Sequence, residues 1–451
     1  MFSGPLLPVS IRLGLPIAVG TLFQLLYTFI DTLFIARIDA TATALVAGTG
    51  LIFPLFFLFL ALGSGIGVGV STLVSRAIGE DNEDAIARAS VTALWLAGGL
   101  AALAVVAGFG WGEPLLAALA GDELSAAAVD SGQAYLNALL PGLGLMLVGQ
   151  TLIGIIQGEG RNRYIAAVMI TTTLVNVILD PIFIFTLDLG VAGAGLATTA
   201  SILASGVLVI ILFVRGKTRV PLRFDPRRIR LALVGHILRV GLPQSLSVLA
   251  LSVTLVFLNK VVGSIAESAM TAWTLVGRID QLLILPGMAM SAATVSMVGQ
   301  NYGRGALDRV RRVHVINSAV AAVALLVLAA LYNFVAAPLF SLFSDVPEVV
   351  AAAVRQVRHI SFTTVGSVLA MVASSAFMAS GRPLPGFAIT ALRAGLVAIP
   401  VAYALAVWTE LGMTGVYYAV MAGRIIAIPV AWFWTRGHLR TLQIRSLDAD
   451  A

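Results

Sequence analysis

The chain has 451 residues, of which 59% are hydrophobic and 11% charged, with a formal net charge of +6 and no cysteine. A water-soluble domain carries about a quarter of charged residues, so this composition excludes one and makes a lipid bilayer the solvent of the chain. The lack of cysteine excludes disulfides and thiolate chemistry, and because the basic residues lie in loops between apolar runs, no nucleic-acid partner is expected.

Apolar runs recur from end to end, each long enough to cross a hydrocarbon core of about 30 Å. The first run has no basic leader and no cleavage site, so we interpret it as a retained helix. We predict an all-α polytopic membrane protein with about twelve spans. They lie near residues 11–36, 46–74, 89–110, 135–156, 164–187, 191–214, 241–262, 269–298, 313–337, 361–380, 387–408 and 412–434.

Basic residues concentrate in every second loop, for example at Arg161 and Arg163 after span four and throughout 215–230 after span six. The other loops are acidic or neutral. The exceptions are Arg37, Lys260, Arg355 and Arg358. Because basic loops stay in the cytoplasm, we expect a multi-pass protein of the cytoplasmic membrane with both termini in the cytoplasm.

The chain contains an internal duplication. The run Arg12-Leu13-Gly14-Leu15-Pro16 opens span one, and Arg239-Val240-Gly241-Leu242-Pro243 opens span seven. Three further motif pairs follow in the same order, after spans two and eight, after four and ten, and before six and twelve. We therefore expect an N-lobe at 1–214, a basic linker at 215–238, a C-lobe at 239–436 and a tail at 437–451. Two parallel six-helix bundles indicate a transporter that works by alternating access.

Two carboxylates lie inside predicted spans, where an unpaired charge is expensive and therefore points to function. Asp31 is in span one, with Gln24 and Tyr27 on the same helical face. Asp180 is in span five, one turn after Asn176. Aligned through the duplication, neither carboxylate has a counterpart in the second bundle. The coupling chemistry is thus expected in the first bundle.

Further oxygen atoms are expected near these carboxylates. Pro181 removes the helical donor of the Val177 carbonyl, and the glycine-rich run 190–195 before Thr198 permits close backbone approach. Carboxylate, amide, hydroxyl and carbonyl oxygens suit Na⁺, whereas two buried carboxylates can equally share a proton. The residue types leave both ions open.

Each of these residues also has a structural interpretation. Asp31 can pair with Arg37, and Asp180 can mark a helix end before Pro181. The glycines at 63, 65, 67 and 69 imitate a dinucleotide-binding motif but favour close helix packing, because no strand precedes them. Arg278 can contact substrate, pair with Asp280 or extend toward the membrane interface.

At these residues the sequence resembles the MATE family of multidrug and toxin exporters, in particular its DinF-like branch within the MOP flippase superfamily. The resemblance rests on the Gly-Leu-Pro motif of both halves, Gln157-Gly158-Glu159-Gly160-Arg161, Asn176 through Pro181, Ala194 with Thr198, and Val298 through Gly303. It implies a twelve-helix, two-lobed antiporter that exports amphipathic, often cationic drugs against H⁺ or Na⁺.

The resemblance also implies a site. The cation or proton site of DinF-like members matches Asp31, Asn176, Asp180 and Thr198, with Tyr135 and Ala194 beside it. The first four are the residues that would hold Na⁺. We assign Gln24, Tyr27, Phe34 and Arg278 to the substrate cavity. No cofactor beyond the coupling ion and no partner beyond a small organic substrate and the bilayer are expected, so the chain is interpreted as a monomer.

Two rival functions remain at this point. A lipid-linked oligosaccharide flippase of the same superfamily would need a strongly cationic cavity, whereas most basic residues here lie in loops. A membrane-embedded enzyme is disfavoured, because no cluster of histidines, cysteines or carboxylates shares a loop.

Overall fold

The computed structural model describes residues 4–38, 52–120, 126–220, 225–409 and 411–450. Within these ranges it leaves aside the side chains of residues 27–38, 53, 117–120, 126–128, 439 and 442–450. Every regular element in this part of the chain is helical, and none is a strand.

The helices follow one another in close succession. In chain order they are α1 (Leu6–Ile38), α2 (Phe53–Gly79), α3 (Glu83–Ala120), α4 (Ala126–Glu159), α5 (Asn162–Pro181), α6 (Gly190–Val214), α7 (Leu231–Gly263), α8 (Glu267–Gly303), α9 (Leu307–Ser341), α10 (Pro347–Ile360), α11 (Thr364–Ala379), α12 (Leu384–Thr390), α13 (Ile399–Val407) and α14 (Gly412–Asp450). Two π-helical segments, Ile182–Thr186 and Ala391–Ala398, continue α5 and join α12 to α13, and a 3₁₀ turn lies at Pro226–Arg228.

The length and apolar character of these helices suit a membrane. Among the described residues, 11 helices are long and apolar enough to cross a bilayer, or 12 if the bent pair α10 and α11 forms one span. The two helices of this pair meet at an angle of 51°. The prediction of an all-α polytopic protein with about twelve spans is confirmed.

The chain packs as two compact units. The first unit is Val19–Ser245, and the second unit combines Met1–Ala18 with Leu246–Ala451. The second unit thus includes the first part of α1, where the Ser10 hydroxyl lies 3.5 Å from the sulfur of Met297 in α8.

Both unit boundaries fall within a helix, shortly after an interior proline. These prolines are Pro16 in α1 and Pro243 in α7. Proline lacks a backbone donor and bends a helix, so the segments on its two sides can pack in different surroundings. The units therefore differ from the expected lobes, 1–214 and 239–436, in the first helix of each repeat.

Glycines of α2 allow other helices of the first unit to approach closely. A Cβ atom at Gly67 would lie 2.7 Å from the carbonyl oxygen of Gln150 in α4. One at Gly65 would lie 2.7 Å from the carbonyl oxygen of Gly241 in α7. On the α4 side, a Cβ at Gly154 would overlap the carbonyl oxygen of Gly67. The glycine run in α2 therefore serves helix packing.

The basic linker is fastened to the first unit by acidic side chains. The Glu159 carboxylate accepts hydrogen bonds from the backbone N–H groups of Arg219, at 2.9 Å, and Val220, at 3.0 Å. The Arg219 side chain donates to Glu83, at 2.7 Å, and to Asp81, at 2.9 Å. The hydrogen bond to Glu83 raises the pKa of the Arg219 guanidinium, which therefore remains charged.

We predict that Gly154→Ala destabilises the protein. The added methyl group meets the backbone of α2, and overpacking of this kind costs about 1–3 kcal/mol. Gly149→Ala is the matched control, because a Cβ at Gly149 in the same helix has no atom within 4 Å. Thermal unfolding in detergent, followed by loss of monodisperse protein, measures both. Equal melting temperatures for the two variants would contradict the packing account.

Candidate functional site

Asp180 is a fully buried carboxylate of the proposed site. It lies in α5 of the first unit, and its exposed fraction is 0%. The chain does not leave the membrane segment after Asp180, because the helix continues beyond Pro181 as the π-helical segment Ile182–Thr186. Asp180 therefore lies inside a span, and the interpretation of this residue as a simple helix end is wrong.

Asn176 connects Asp180 to α6. In the amide orientation that satisfies both of its ends, the Asn176 NH₂ group donates to Oδ2 of Asp180 at 2.8 Å. In the same orientation, its carbonyl oxygen accepts from the backbone N–H of Thr198 at 3.2 Å. Asn176 is also buried, with an exposed fraction of 1%. The structure thus brings together three of the four predicted coupling residues.

Small residues in α6 bring two neighbouring segments close to this cluster. A Cβ atom at Gly193 would lie 2.6 Å from the carbonyl oxygen of Phe183, in the π-helical segment. One at Gly195 would lie 3.0 Å from the carbonyl oxygen of Tyr135 in α4. Ala194, between these two glycines, is 1% exposed. The predicted close approach at the start of span six is confirmed: Tyr135 lies against Gly195, and Ala194 is one helical turn before Thr198.

The other predicted site residues of the first unit lie on α1. The side chains of Asp31, Tyr27 and Phe34 lie outside the described residues, although their backbone belongs to α1. Gln24, on the same helix, is exposed. The pairing of Asp31 with Asp180 therefore stays a prediction.

The cluster can hold either a proton or a metal cation. The described residues contain no group of three or more histidines, cysteines or carboxylates that would bind a metal ion by themselves. The oxygens that the described residues offer to a cation here are those of Asp180, the Thr198 hydroxyl and the amide oxygen of Asn176, which has a second lone pair beside the one that accepts from the Thr198 N–H. These oxygens suit Na⁺, and the buried carboxyl group of Asp180 can equally take up a proton.

In the second unit, Arg278 lies on an exposed polar stripe of α8. The exposed side chains of this stripe are Thr271, Thr274, Arg278 and Gln281, spaced so that they share one helical face. A membrane helix that faces lipid is apolar, and polar stripes normally face a water-filled path. The assignment of Arg278 to the substrate cavity is compatible with this position and stays a prediction.

Asp280 is the functional candidate that our sequence interpretation placed wrongly. We considered it as an ion-pair partner of Arg278, but a separation of two residues puts the side chains on nearly opposite faces of a helix. No ion pair joins the two residues in the described structure, and the cation that interacts electrostatically with Asp280 is Arg424 in α14. Arg424 is almost 150 residues from Asp280 along the chain, so local spacing in the sequence could not indicate this interaction.

Comparison with protein families finds a match to the MatE model over residues 16–182 and 243–404. A FAD transporter of Shewanella oneidensis is 27% identical over 441 residues, with 95% of this chain and 92% of the relative covered. The probable multidrug resistance protein NorM of Bradyrhizobium diazoefficiens is 27% identical (92% and 90% covered), and the multidrug export protein MepA of Staphylococcus haemolyticus is 23% identical (93% and 91%).

Solved structures match the fold over nearly the whole chain. The outward-facing conformation of a multidrug resistance MATE family transporter of the MOP superfamily has a TM-score of 0.92 and 26% identity, with 98% of this chain and 97% of that chain covered. A crystal structure of MATE in complex with Br-NRF has a TM-score of 0.86 and 27% identity, with the same coverage.

We predict that Asn176→Leu lowers the stability of the protein, because it leaves a buried carboxylate without one of its donors. The expected loss is about 1–3 kcal/mol. Thr172→Val is the matched control on the same helix, since among the described residues the Thr172 hydroxyl bonds only to the carbonyl of Val168 in the preceding turn. Thermal unfolding of both variants in the same detergent tests this. If Asn176→Leu melts at the temperature of Thr172→Val, the hydrogen bonds of Asn176 do not hold the site.

Proposed function

This chain belongs to the MatE family of membrane transporters, and from that premise we propose that it is a cation-coupled antiporter for amphipathic, often cationic organic molecules. It is a transporter and not an enzyme. The observation that carries the proposal is the buried carboxylate of Asp180, hydrogen-bonded through Asn176 to the start of α6. An unpaired charge inside a membrane span is costly. A carboxylate there must therefore be paired or neutralised, and a bound cation or proton can neutralise it.

Asp180 and Asp31 together form the proposed coupling site, with Thr198 and Tyr135 beside them. The exchange of the coupling ion for the substrate follows from their charges. A proton or Na⁺ neutralises the carboxylates, and a cationic substrate near the same carboxylates competes with that ion, because a second positive charge in a medium of low dielectric constant is repelled. The coupling ion in this proposal is H⁺ or Na⁺, because the carboxyl groups can be protonated and the oxygens of Asp180, Asn176 and Thr198 can also coordinate a cation.

The transport cycle that we propose is alternating access between two lobes. The internal duplication supports it, because two similar helical bundles in parallel orientation suit a rocking movement around a central path. The substrate cavity includes Gln24, Tyr27, Phe34 and Arg278. Several relatives carry names of multidrug resistance or multidrug export proteins, and these names support organic drugs or toxins as substrates.

The membrane arrangement is also part of the proposal. The alternation of basic and acidic loops supports the cytoplasmic membrane as the location, with both termini in the cytoplasm. We also propose that the chain works as a monomer.

A second substrate class is anionic. The relative from Shewanella oneidensis is named a FAD transporter, and FAD carries a negatively charged diphosphate. The exposed guanidinium of Arg278 on the polar stripe of α8 favours this candidate, because it offers a bidentate donor to a phosphate. The match to the MatE model supports export of a soluble molecule over the flipping of a lipid-linked oligosaccharide.

We predict that Asp180→Asn and Asp31→Asn each reduce export of a cationic fluorescent dye to the level of cells without the transporter. Both changes keep the volume of the side chain and remove the ionisable group, so the variants still fold but cannot exchange an ion. Dye efflux from cells is measured at matched amounts of protein in the membrane.

Asp188→Asn is the control for this experiment. Asp188 is exposed in a turn with a positive φ of 51°, which asparagine also adopts readily. This variant loses the same charge and should export the dye normally. Undiminished export by both Asp180→Asn and Asp31→Asn would remove the proposed coupling site.

A further inference from the structure

A cavity of the first unit lies between the ends of three helices that are long and apolar enough to cross a membrane. It has a volume of about 410 Å³ and is formed by the end of α2, the start of α3 and the start of α7. This volume is in the range of about 300–1,000 Å³ that is typical of small-molecule sites. The three candidate spans end or begin here, at Gly79, Glu83 and Leu231. The cavity therefore lies where these helices meet the surface of the bilayer.

The wall of this cavity is mainly positively charged. Three arginines line it, Arg76, Arg88 and Arg230, and they stand against a single lining carboxylate, that of Glu80. Arg230 is exposed, and none of the ion pairs between described residues includes its guanidinium. The cavity thus presents more cationic than anionic groups, and it suits a ligand that carries negative charge.

The ion pairs at the cavity leave its arginines accessible. Nε of Arg76 lies 2.9 Å from Oε1 of Glu80, and Nη1 of Arg88 lies 2.7 Å from Oδ2 of Asp84. Both pairs join residues one helical turn apart and are partly exposed to water, which screens pairs of this kind. A guanidinium also has more N–H donors than one carboxylate oxygen occupies. An anion with several oxygen atoms can therefore bind here without breaking a buried ion pair.

The backbone at the start of α7 adds further donors. The N–H group of Arg230 donates to the hydroxyl of Thr92 in α3 at 3.2 Å, and the N–H of Leu233 donates to the Arg230 carbonyl at 2.9 Å. The N–H groups of Leu231 and Ala232 make no such bond within the described chain, and Ala232 lines the cavity. The start of a helix also attracts anions through the helix dipole. Together with the arginines, these N–H groups are suited to the oxygen atoms of a phosphate.

Apolar side chains lie beside these donors. Leu73 and Leu233 line the cavity, and Leu231, next to Arg230 in the sequence, is 84% exposed. A leucine so exposed at the first residue of a candidate span favours contact with lipid chains rather than with water. The combination of a cationic wall and an apolar edge matches a ligand with an anionic head and acyl chains, more closely than it matches a soluble phosphate compound.

We propose that this cavity binds an anionic phospholipid, whose phosphate contacts Arg230, Arg88 and Arg76 and whose acyl chains lie beside Leu231. Basic pockets between membrane helices are suited to anionic headgroups, because the phosphate is bound by several cations at the depth where the lipid already lies. The lipid contacts α2, α3 and α7 at once and thereby stabilises the first turn of α7. The proposal rests on the proposed membrane arrangement only for the leaflet, which is the cytoplasmic one.

Native mass spectrometry of the full chain, released from detergent, counts the lipids that stay bound and gives the affinity of the first one. The probes are phosphatidylglycerol and zwitterionic phosphatidylethanolamine with the same acyl chains. We expect phosphatidylglycerol to bind at least about five-fold more tightly. Arg230→Gln should weaken its binding by roughly five-fold, the contribution of one arginine to an anionic lipid.

Arg227→Gln is the matched control, because Arg227 is an exposed arginine of the same linker that does not line the cavity. It should bind phosphatidylglycerol like the parent protein. Ala232→Trp fills the cavity without changing the charge, so it should also weaken binding and provides a test that does not depend on an arginine variant. Asp180→Asn should keep the lipid affinity whether or not it abolishes export, which separates this proposal from the proposed function.

Four results would each overturn the lipid site. They are equal affinities for the two lipids, equal affinities of Arg230→Gln and Arg227→Gln, and parental affinity in Ala232→Trp. The fourth is displacement of bound phosphatidylglycerol by an equal concentration of glycerol phosphate, which has the anionic head but no acyl chains. That result would assign the cavity to a soluble phosphate compound instead.

Discussion

Inside the hydrocarbon core of a bilayer, polar groups must find their partners within the protein, and this constraint shapes the surroundings of the ionisable groups in the spans. Asp180 is fully buried, and Asn176 connects it to the backbone of α6. Arg424 is bound by a carbonyl and a hydroxyl where a helix bends. In each case the charged group has few alternative hydrogen-bonding partners. A change of one proton therefore has a large local effect, which is the property that an ion-coupled transporter requires.

Two kinds of small structural feature make these arrangements possible. Glycines allow backbones to approach until no side chain fits between them, as between Gly67 in α2 and Gly154 in α4. Prolines place bends in long helices, and the two compact units change over just after Pro16 and Pro243. Because these prolines occupy the same position in both repeats, the first helix of each repeat is divided in the same way.

Much of this organisation could be predicted from the sequence. The all-helical membrane fold follows from apolar length, and Asp180 stood out because a carboxylate in a span is rare. The bend between α10 and α11 and the division of α1 and α7 between the units could not be predicted. They depend on contacts between residues far apart in the chain, which neither periodicity nor local spacing encodes.

The central claim is that export is driven by a cation, H⁺ or Na⁺, that binds at the proposed coupling site of the first unit. Uptake of a cationic dye into proteoliposomes under an imposed pH gradient without Na⁺, and under a Na⁺ gradient without a pH difference, tests it most directly. The account predicts uphill accumulation under one of the two gradients, and the gradient that drives it identifies the coupling ion. Accumulation under neither gradient would contradict ion coupling.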